Sequence, residues 1–139
     1  MTVMTIGTLS RRSGVPVKTL RAYEDMGLIY TVGRSAGNYR LFGEEALWCI
    51  VVVGGLRELG LTLHEIGDLA GVYLQNTGEP VGPRLAAMLQ AVRARTRQRI
   101  AELQQRLEHI EQFEAACAAE LTGQADFRAM DPRSRAQRA

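Results

Sequence analysis

The chain has 139 residues, room for one ordinary domain and one long accessory element. Hydrophobic residues make up 46% and charged residues 23%, which excludes wholesale disorder. No apolar run approaches the ~20 residues of a membrane-spanning helix, and the N-terminus has no signal-peptide core, so a cytoplasmic protein is expected. Two cysteines, Cys49 and Cys117, exclude a disulfide scaffold and any Cys-x-x-Cys metal motif.

The net charge of +2 conceals a division along the chain. Residues 5–43 carry Arg11, Arg12, Lys18, Arg21, Arg34 and Arg40 against Glu24 and Asp25, a net of +4. Residues 44–83 carry Arg57 against Glu44, Glu45, Glu58, Glu65, Asp68 and Glu79, a net of −5, and Arg84, Arg93, Arg95, Arg97 and Arg99 follow with no acid among them. A basic N-terminal third beside an acidic neighbour is the pattern of a polyanion-facing surface on a scaffold, although a solvated charged face would produce it too.

Local signals decide between the two. Thr5 precedes Ile6 and Leu9 in a run closing at Gly14, a capped short helix with a glycine stop. Val15-Pro16 turns the chain, and Val17, Leu20, Met26 and Leu28, with Gly27 as a cap, predict a second short helix. Two short helices around a tight turn form a helix-turn-helix candidate. Lys18, Thr19, Arg21 and Ala22 then fall in the first turns of the second helix, where a recognition helix meets base edges. Ile29 to Val32 and Tyr39 to Phe42 flank the Gly33–Asn38 loop and predict a small hairpin, or wing, bracketed by Arg34 and Arg40. Such a wing can place arginine and tyrosine on phosphate oxygens, although a surface hairpin with incidental arginines would look the same in isolation.

Glu44-Glu45 opens a third helix, with acids suited to its positive end. The nearly continuous apolar stretch from Ala46 to Leu59 is expected to be a buried helix, although Val51 to Val53 also suits a buried strand. Gly54-Gly55 within it suggests close backbone packing. Gly60-Leu61-Thr62 breaks that helix, and Leu63, Ile66, Leu69 and Ala70 carry a fourth to about Leu74. His64 at its start is expected to be exposed or capping. Residues 75–83 have linker composition. From 84 to 121 a long helix is expected, with Leu89, Thr96, Leu103, Ile110 and Cys117 recurring every seven residues and a second row of Val92, Ile100, Leu107 and Phe113. A lone helix cannot bury such a stripe against itself, so a homodimer is expected, reading two half-sites. Residues 122–139 are expected to form a mobile tail.

These residues, in this order, resemble the MerR family of bacterial transcriptional regulators. The resemblance is carried by Thr5–Ser10, Gly14–Glu24, Gly27–Ile29, Arg34, Asn38–Phe42 and Leu56–Ile66, covering residues 4–74 densely and the long helix by architecture. It implies a mainly α fold: a winged helix-turn-helix DNA-binding domain with a supporting helix pair over residues 1–74, then a dimerisation helix forming an antiparallel coiled coil. It also implies binding to an inverted repeat in promoter DNA, and effector-driven distortion of the spacer that acts on RNA polymerase through the promoter. By position, Lys18, Arg21 and Tyr23 match recognition-helix contacts, Arg34, Tyr39 and Arg40 match wing contacts, and Arg57 matches a phosphate contact. Thr19 and Asn38 complete the candidate DNA-contacting set. Ala22 departs from the family, many of whose members carry a large aromatic there. Arg12 lies near this face, with a solvated role fitting equally well.

The effector is less legible. Cys117 matches the first cysteine of the copper- and zinc-sensing members, but Ala125 stands at the second and Gly82 at the one some members carry earlier. One thiolate makes neither a two-sulfur site nor a closed zinc site, and His109 would need help from another chain. The expected effector is therefore an unidentified small organic molecule held near Trp48 and Tyr73, with a metal ion or a thiol-reactive species at Cys117 as the lesser alternatives. Trp48, Tyr73 and Cys49 also suit an ordinary apolar core, and Cys117 a small hydrophobe on the seam. His64-Glu65 lacks the second histidine of a zinc-protease motif, and no phosphate-cradling loop or nucleophile elbow occurs, so no enzyme is expected. A coiled-coil interaction module, or an architectural DNA binder without effector, remain as alternative functions.

Overall fold

The computed structural model describes residues 2–75 and 78–136; Asn76 and Thr77 of the expected linker lie outside them, as do residues 137–139 of the expected tail. The described residues fall into two compact units, 1–93 and 94–139.

In the first unit, α1 (Ile6–Ser13) starts at Thr5, whose side chain accepts the Thr8 N–H, and stops at Gly14, whose φ of 75° lets its N–H return to the Ser10 carbonyl. The Ser10 hydroxyl donates to the Val15 carbonyl at 2.7 Å and ties the turn to α1. Pro16 then occupies the cap position of α2 (Val17–Asp25). Past its end, Gly27 at φ 75° lets the Leu28 N–H reach the Tyr23 carbonyl, closing α2 in a Schellman arrangement.

Three strands follow from this start. β1 (Val3–Met4), β2 (Thr31–Arg34) and β3 (Arg40–Gly43) form an antiparallel sheet in the order β1-β3-β2. Phe42 pairs with Met4 on one side and Thr31 on the other, and the register slips between Thr31 and Gly33 before Arg34 pairs with Arg40. Phe42, Leu9, Leu20 and Ile29 are fully buried together, so sheet and both short helices share one core.

α3 (Glu44–Glu58) is a helix through all three valines, but it is not buried all round. Ala46, Ile50 and Val53 face the core, while Trp48 and Val51 are exposed. The close packing expected at Gly54-Gly55 is also absent, since a side chain added at either would meet no neighbouring atom of the chain within 4 Å. α4 (Leu63–Gln75) is capped by Thr62 and Glu65, not by His64. The Glu65 carboxylate accepts the Thr62 N–H at 2.8 Å, and the Thr62 hydroxyl accepts the Glu65 N–H at 3.1 Å, a reciprocal capping box. His64 is exposed and faces Asp68.

α5 (Val81–Ala116) contributes residues to both units. Leu85, Met88, Leu89 and Val92 pack against the first unit's core, and Val92 sits 3.1 Å from where a side chain at Gly60 would begin. At 5% exposure Val92 is committed to its own chain, which removes it from the partner-facing seam assigned from the heptad pattern. In the second unit, α5 ends at Ala116, and Cys117 at φ −117° separates it from α6 (Ala118–Leu121), where one continuous helix was expected. The expected tail carries a 3-10 turn at Phe127–Met130 and a short α7 (Pro132–Ala136), and Phe127 stacks on Phe113 with ring centroids 6.2 Å apart.

Phe42→Ala should cost about 3–5 kcal/mol in urea unfolding. Thr62→Ala, which removes one cap bond, should cost only about 1 kcal/mol.

Candidate nucleic-acid interface

The residues expected to meet DNA all belong to the first unit, and the fold brings a subset of them to one place. β3 fixes the geometry. Alternate residues of a strand share a face, so burying Phe42 points Arg40 the same way, toward α2. Between α2 and the wing lies a groove of about 380 Å³, lined by Thr5, Ile6, Arg21, Glu24, Asp25, Tyr39, Arg40 and Phe42. Arg21 comes from α2, and Arg40 and Tyr39 from the wing, all three exposed. Lys18 lies one turn before Arg21 on the same face of α2, exposed, and neither side chain makes a hydrogen bond or ion pair among the described residues.

The wing turn is held by its own polar groups. Asn38 adopts φ 66°, a left-handed conformation that asparagine tolerates better than most residues. Its N–H bonds to the Ser35 carbonyl, the Ser35 N–H to the Tyr39 carbonyl, and the Arg34 guanidinium to the Asn38 carbonyl at 3.1 Å. Arg34 and Arg40 stand directly opposite across the hairpin, a like-charge pairing that costs stability in isolation. Arg40 is compensated by Glu24, whose Oε1 accepts from Arg40 Nη1 at 3.0 Å.

Other expected contacts sit elsewhere. Tyr23 is only 4% exposed and packs in the core, so its ring cannot lie on DNA: the helix turns it inward with Leu20 while Arg21 faces out. Thr19 and Ala22 are half-buried. Arg57 is exposed in the last turn of α3, where a cation complements the helix end, and is not among the groove residues. Arg12 bonds both Glu44 oxygens, at 2.8 and 3.3 Å, and so links α1 to the start of α3. Sequence reasoning missed Glu24, although an acid inside a basic stretch is itself a signal of an ion pair.

Trp48 and Tyr73 are both exposed, at 63% and 62%, instead of forming core. They flank a second groove of about 300 Å³ between α3, α4 and the start of α5, whose lining includes Tyr30, Cys49, Val52 and Leu56. Burial pushes the Cys49 thiol up from its ordinary pKa and the Glu45 carboxylate adds to this, while a backbone hydrogen bond opposes them. Cys117 is half-buried in the second unit. Among the described residues no group of three or more histidine, cysteine or acidic side chains is placed to hold a metal ion.

Two family models match the chain: a MerR helix-turn-helix family regulatory protein model over residues 4–71 and a MerR DNA-binding model over residues 52–113. An uncharacterized helix-turn-helix transcriptional regulator of Pseudomonas aeruginosa is 31% identical over 107 residues, covering 77% of this chain and 74% of that protein. Heavy metal-dependent transcription regulator 1 of Rhizobium meliloti is 33% identical over 111 residues, covering 79% and 69%. Among solved structures, the transcription regulator PbrR691 from Ralstonia metallidurans in complex with lead(II) superposes with a TM-score of 0.69 at 30% identity, covering 82% of this chain and 87% of that one. The relatives are regulators, not enzymes.

In a Cys117→Ser background, iodoacetamide at pH 8 should label Cys49 more slowly in the folded chain than in urea. Its raised pKa leaves less thiolate there, so the gap should narrow as pH rises.

Proposed function

The chain belongs to the MerR family of helix-turn-helix regulatory proteins, and from that premise we propose an effector-responsive homodimer that grips an inverted repeat in promoter DNA and switches transcription by distorting the spacer. DNA binding and regulation come with the family. The observation that carries the mode of binding is the groove between α2 and the wing, where Arg21, Tyr39 and Arg40 converge from elements distant in sequence. The recognition helix would enter the major groove, with Lys18 on a phosphate and Arg21 able to pair with a guanine edge. Arg34, Asn38, Tyr39 and Arg40 would hold the flanking phosphates, and Arg57 a further one.

The second unit supports the dimer. Ile100, Leu103, Leu107, Ile110 and Phe113 are all exposed at heptad-like spacing on α5, an apolar stripe that a second copy would cover. Leu89, Thr96 and Cys117 would extend it. The DNA-binding unit would then run to residue 93, past the expected boundary at 74, because the first turns of α5 complete its core, and the part of α5 beyond it would form the dimerising antiparallel coiled coil ahead of the tail at 122–139. Bending and untwisting DNA costs several kcal/mol, which effector binding would offset by favouring one arrangement of the paired domains. RNA polymerase would respond through the promoter, in the cytoplasm. No helix among the described residues is long and apolar enough to cross a membrane.

For the effector, the apolar groove flanked by Trp48 and Tyr73 supports a small organic molecule. The relatives named for heavy metals and lead raise a metal ion as the second reading. Cys117 would be its one thiolate donor in the second unit, so a soft-metal site would require donors from another chain.

Selection from a randomised duplex library should enrich an inverted repeat, bound by a species of twice the monomer mass in sedimentation. Affinity should fall steeply with salt, and Lys18→Ala should weaken all duplexes evenly, making the salt slope shallower by about 1.8 because the dimer loses one phosphate contact per subunit. Recovery of no repeat, or of a repeat bound by monomer, would refute this reading.

A further inference from the structure

We propose that Glu24 is a positioning residue for DNA binding: its carboxylate fixes the Arg40 guanidinium at the edge of the groove so that the remaining donors meet a phosphate. The inference rests on the DNA-binding reading above and adds to it a residue of the wrong charge.

Glu24 and Asp25 are the two acids of residues 5–43. An acid facing a polyanion repels it, so its presence in this groove requires a compensating role. Asp25 is exposed and makes no ion pair among the described residues. Glu24 differs. Its side chain is 17% exposed, its Oε1 lies 3.0 Å from Arg40 Nη1, and the Arg40 side chain remains 57% exposed. The anion is thus largely withdrawn from solvent while its cationic partner stands at the surface.

The placement is over-determined. Phe42, two residues on, is fully buried and locks the strand, which turns Arg40 toward α2. Glu24 lies one turn beyond Arg21 on α2, and Arg21, Glu24 and Arg40 line the same groove. Among the described residues the Arg40 guanidinium makes a single hydrogen bond, to Glu24. Guanidinium has five N–H donors in a rigid fork, so one edge can rest on a carboxylate while another takes a phosphate oxygen. Its side-chain freedom is then lost on folding instead of on binding, which favours a tighter complex. Arg34, opposite Arg40, is held only within its own loop by the Asn38 carbonyl, so the Glu24–Arg40 pair is the ion pair that ties the wing to the recognition helix.

The test uses the full chain and the duplex recovered with the wild type, titrated over a range of salt with Glu24→Gln, Arg40→Gln, the double variant and Asp25→Asn. Charge alone makes both acid-to-amide variants bind tighter. Positioning instead expects Glu24→Gln to bind roughly ten-fold more weakly, with a salt slope shallower by about 1.8 because each subunit of the dimer neutralises one fewer phosphate. Asp25→Asn should bind equally or more tightly, and the double variant no more weakly than Arg40→Gln. Glu24→Gln binding as tightly as wild type, an unchanged slope, or additive losses would each overturn the proposal. A second measurement needs no variant: the carboxyl carbon shift of Glu24 in the wild-type chain should stay constant when duplex is added. A move to the free-carboxylate value would mean that phosphate displaces Glu24, and would overturn the proposal as well. If wild type retains no duplex, the DNA-binding reading fails first and this one with it.

Discussion

Burial of Phe42 is the constraint on which the DNA-facing surface depends. Phe42 is fully buried in one core with Met4 of β1, Leu9 of α1 and Leu20 of α2, so the sheet cannot slide without opening that core. A strand has a side-chain period of two, and a slip of one residue would turn Arg40 away from α2 and destroy the groove. An apolar residue that would never touch DNA thereby sets where two cationic elements meet. The hairpin tip is free of this constraint and relies on local bonds from Ser35, Asn38 and Arg34.

Charge is organised by the same frame. The cations of residues 5–43 divide into those left without a side-chain partner on α2, Lys18 and Arg21, and those engaged by the protein: Arg11 with Thr8, Arg34 with the Asn38 carbonyl, Arg12 with Glu44 and Arg40 with Glu24. Exposed ion pairs contribute little stability, up to about 1 kcal/mol. The better account of the Glu24 and Glu44 pairs is geometric: each joins two elements that the core alone would leave with freedom at their edges.

The sequence made the short-range grammar legible. Thr5, Gly14 and Gly27 each act through bonds within a few residues, so their meaning survives without knowledge of the fold. What depended on tertiary partners was harder to read. β1 is two residues long and exists because β3 presents an edge to it. Tyr23 has the composition of a contact residue but the helical phase of a core residue. Val92 fits the heptad pattern yet is used by the Gly60 turn, and α3 is apolar on a face that its own chain leaves open. The Thr62–Glu65 capping box is by contrast a local pattern, written plainly in the residues on either side of His64. Of the site, the cations could be found from type and spacing; the acid that holds one of them emerged only from the packing of β3.

The first turns of α5 complete the core of the unit that precedes them, with Leu85, Met88, Leu89 and Val92 closing over the Gly60 corner. A fragment cut at the linker would therefore lack a wall and expose Leu61 and its neighbours to solvent. The smallest autonomous module extends past residue 92, so an excised or grafted version of the DNA-facing half must carry the root of the long helix with it.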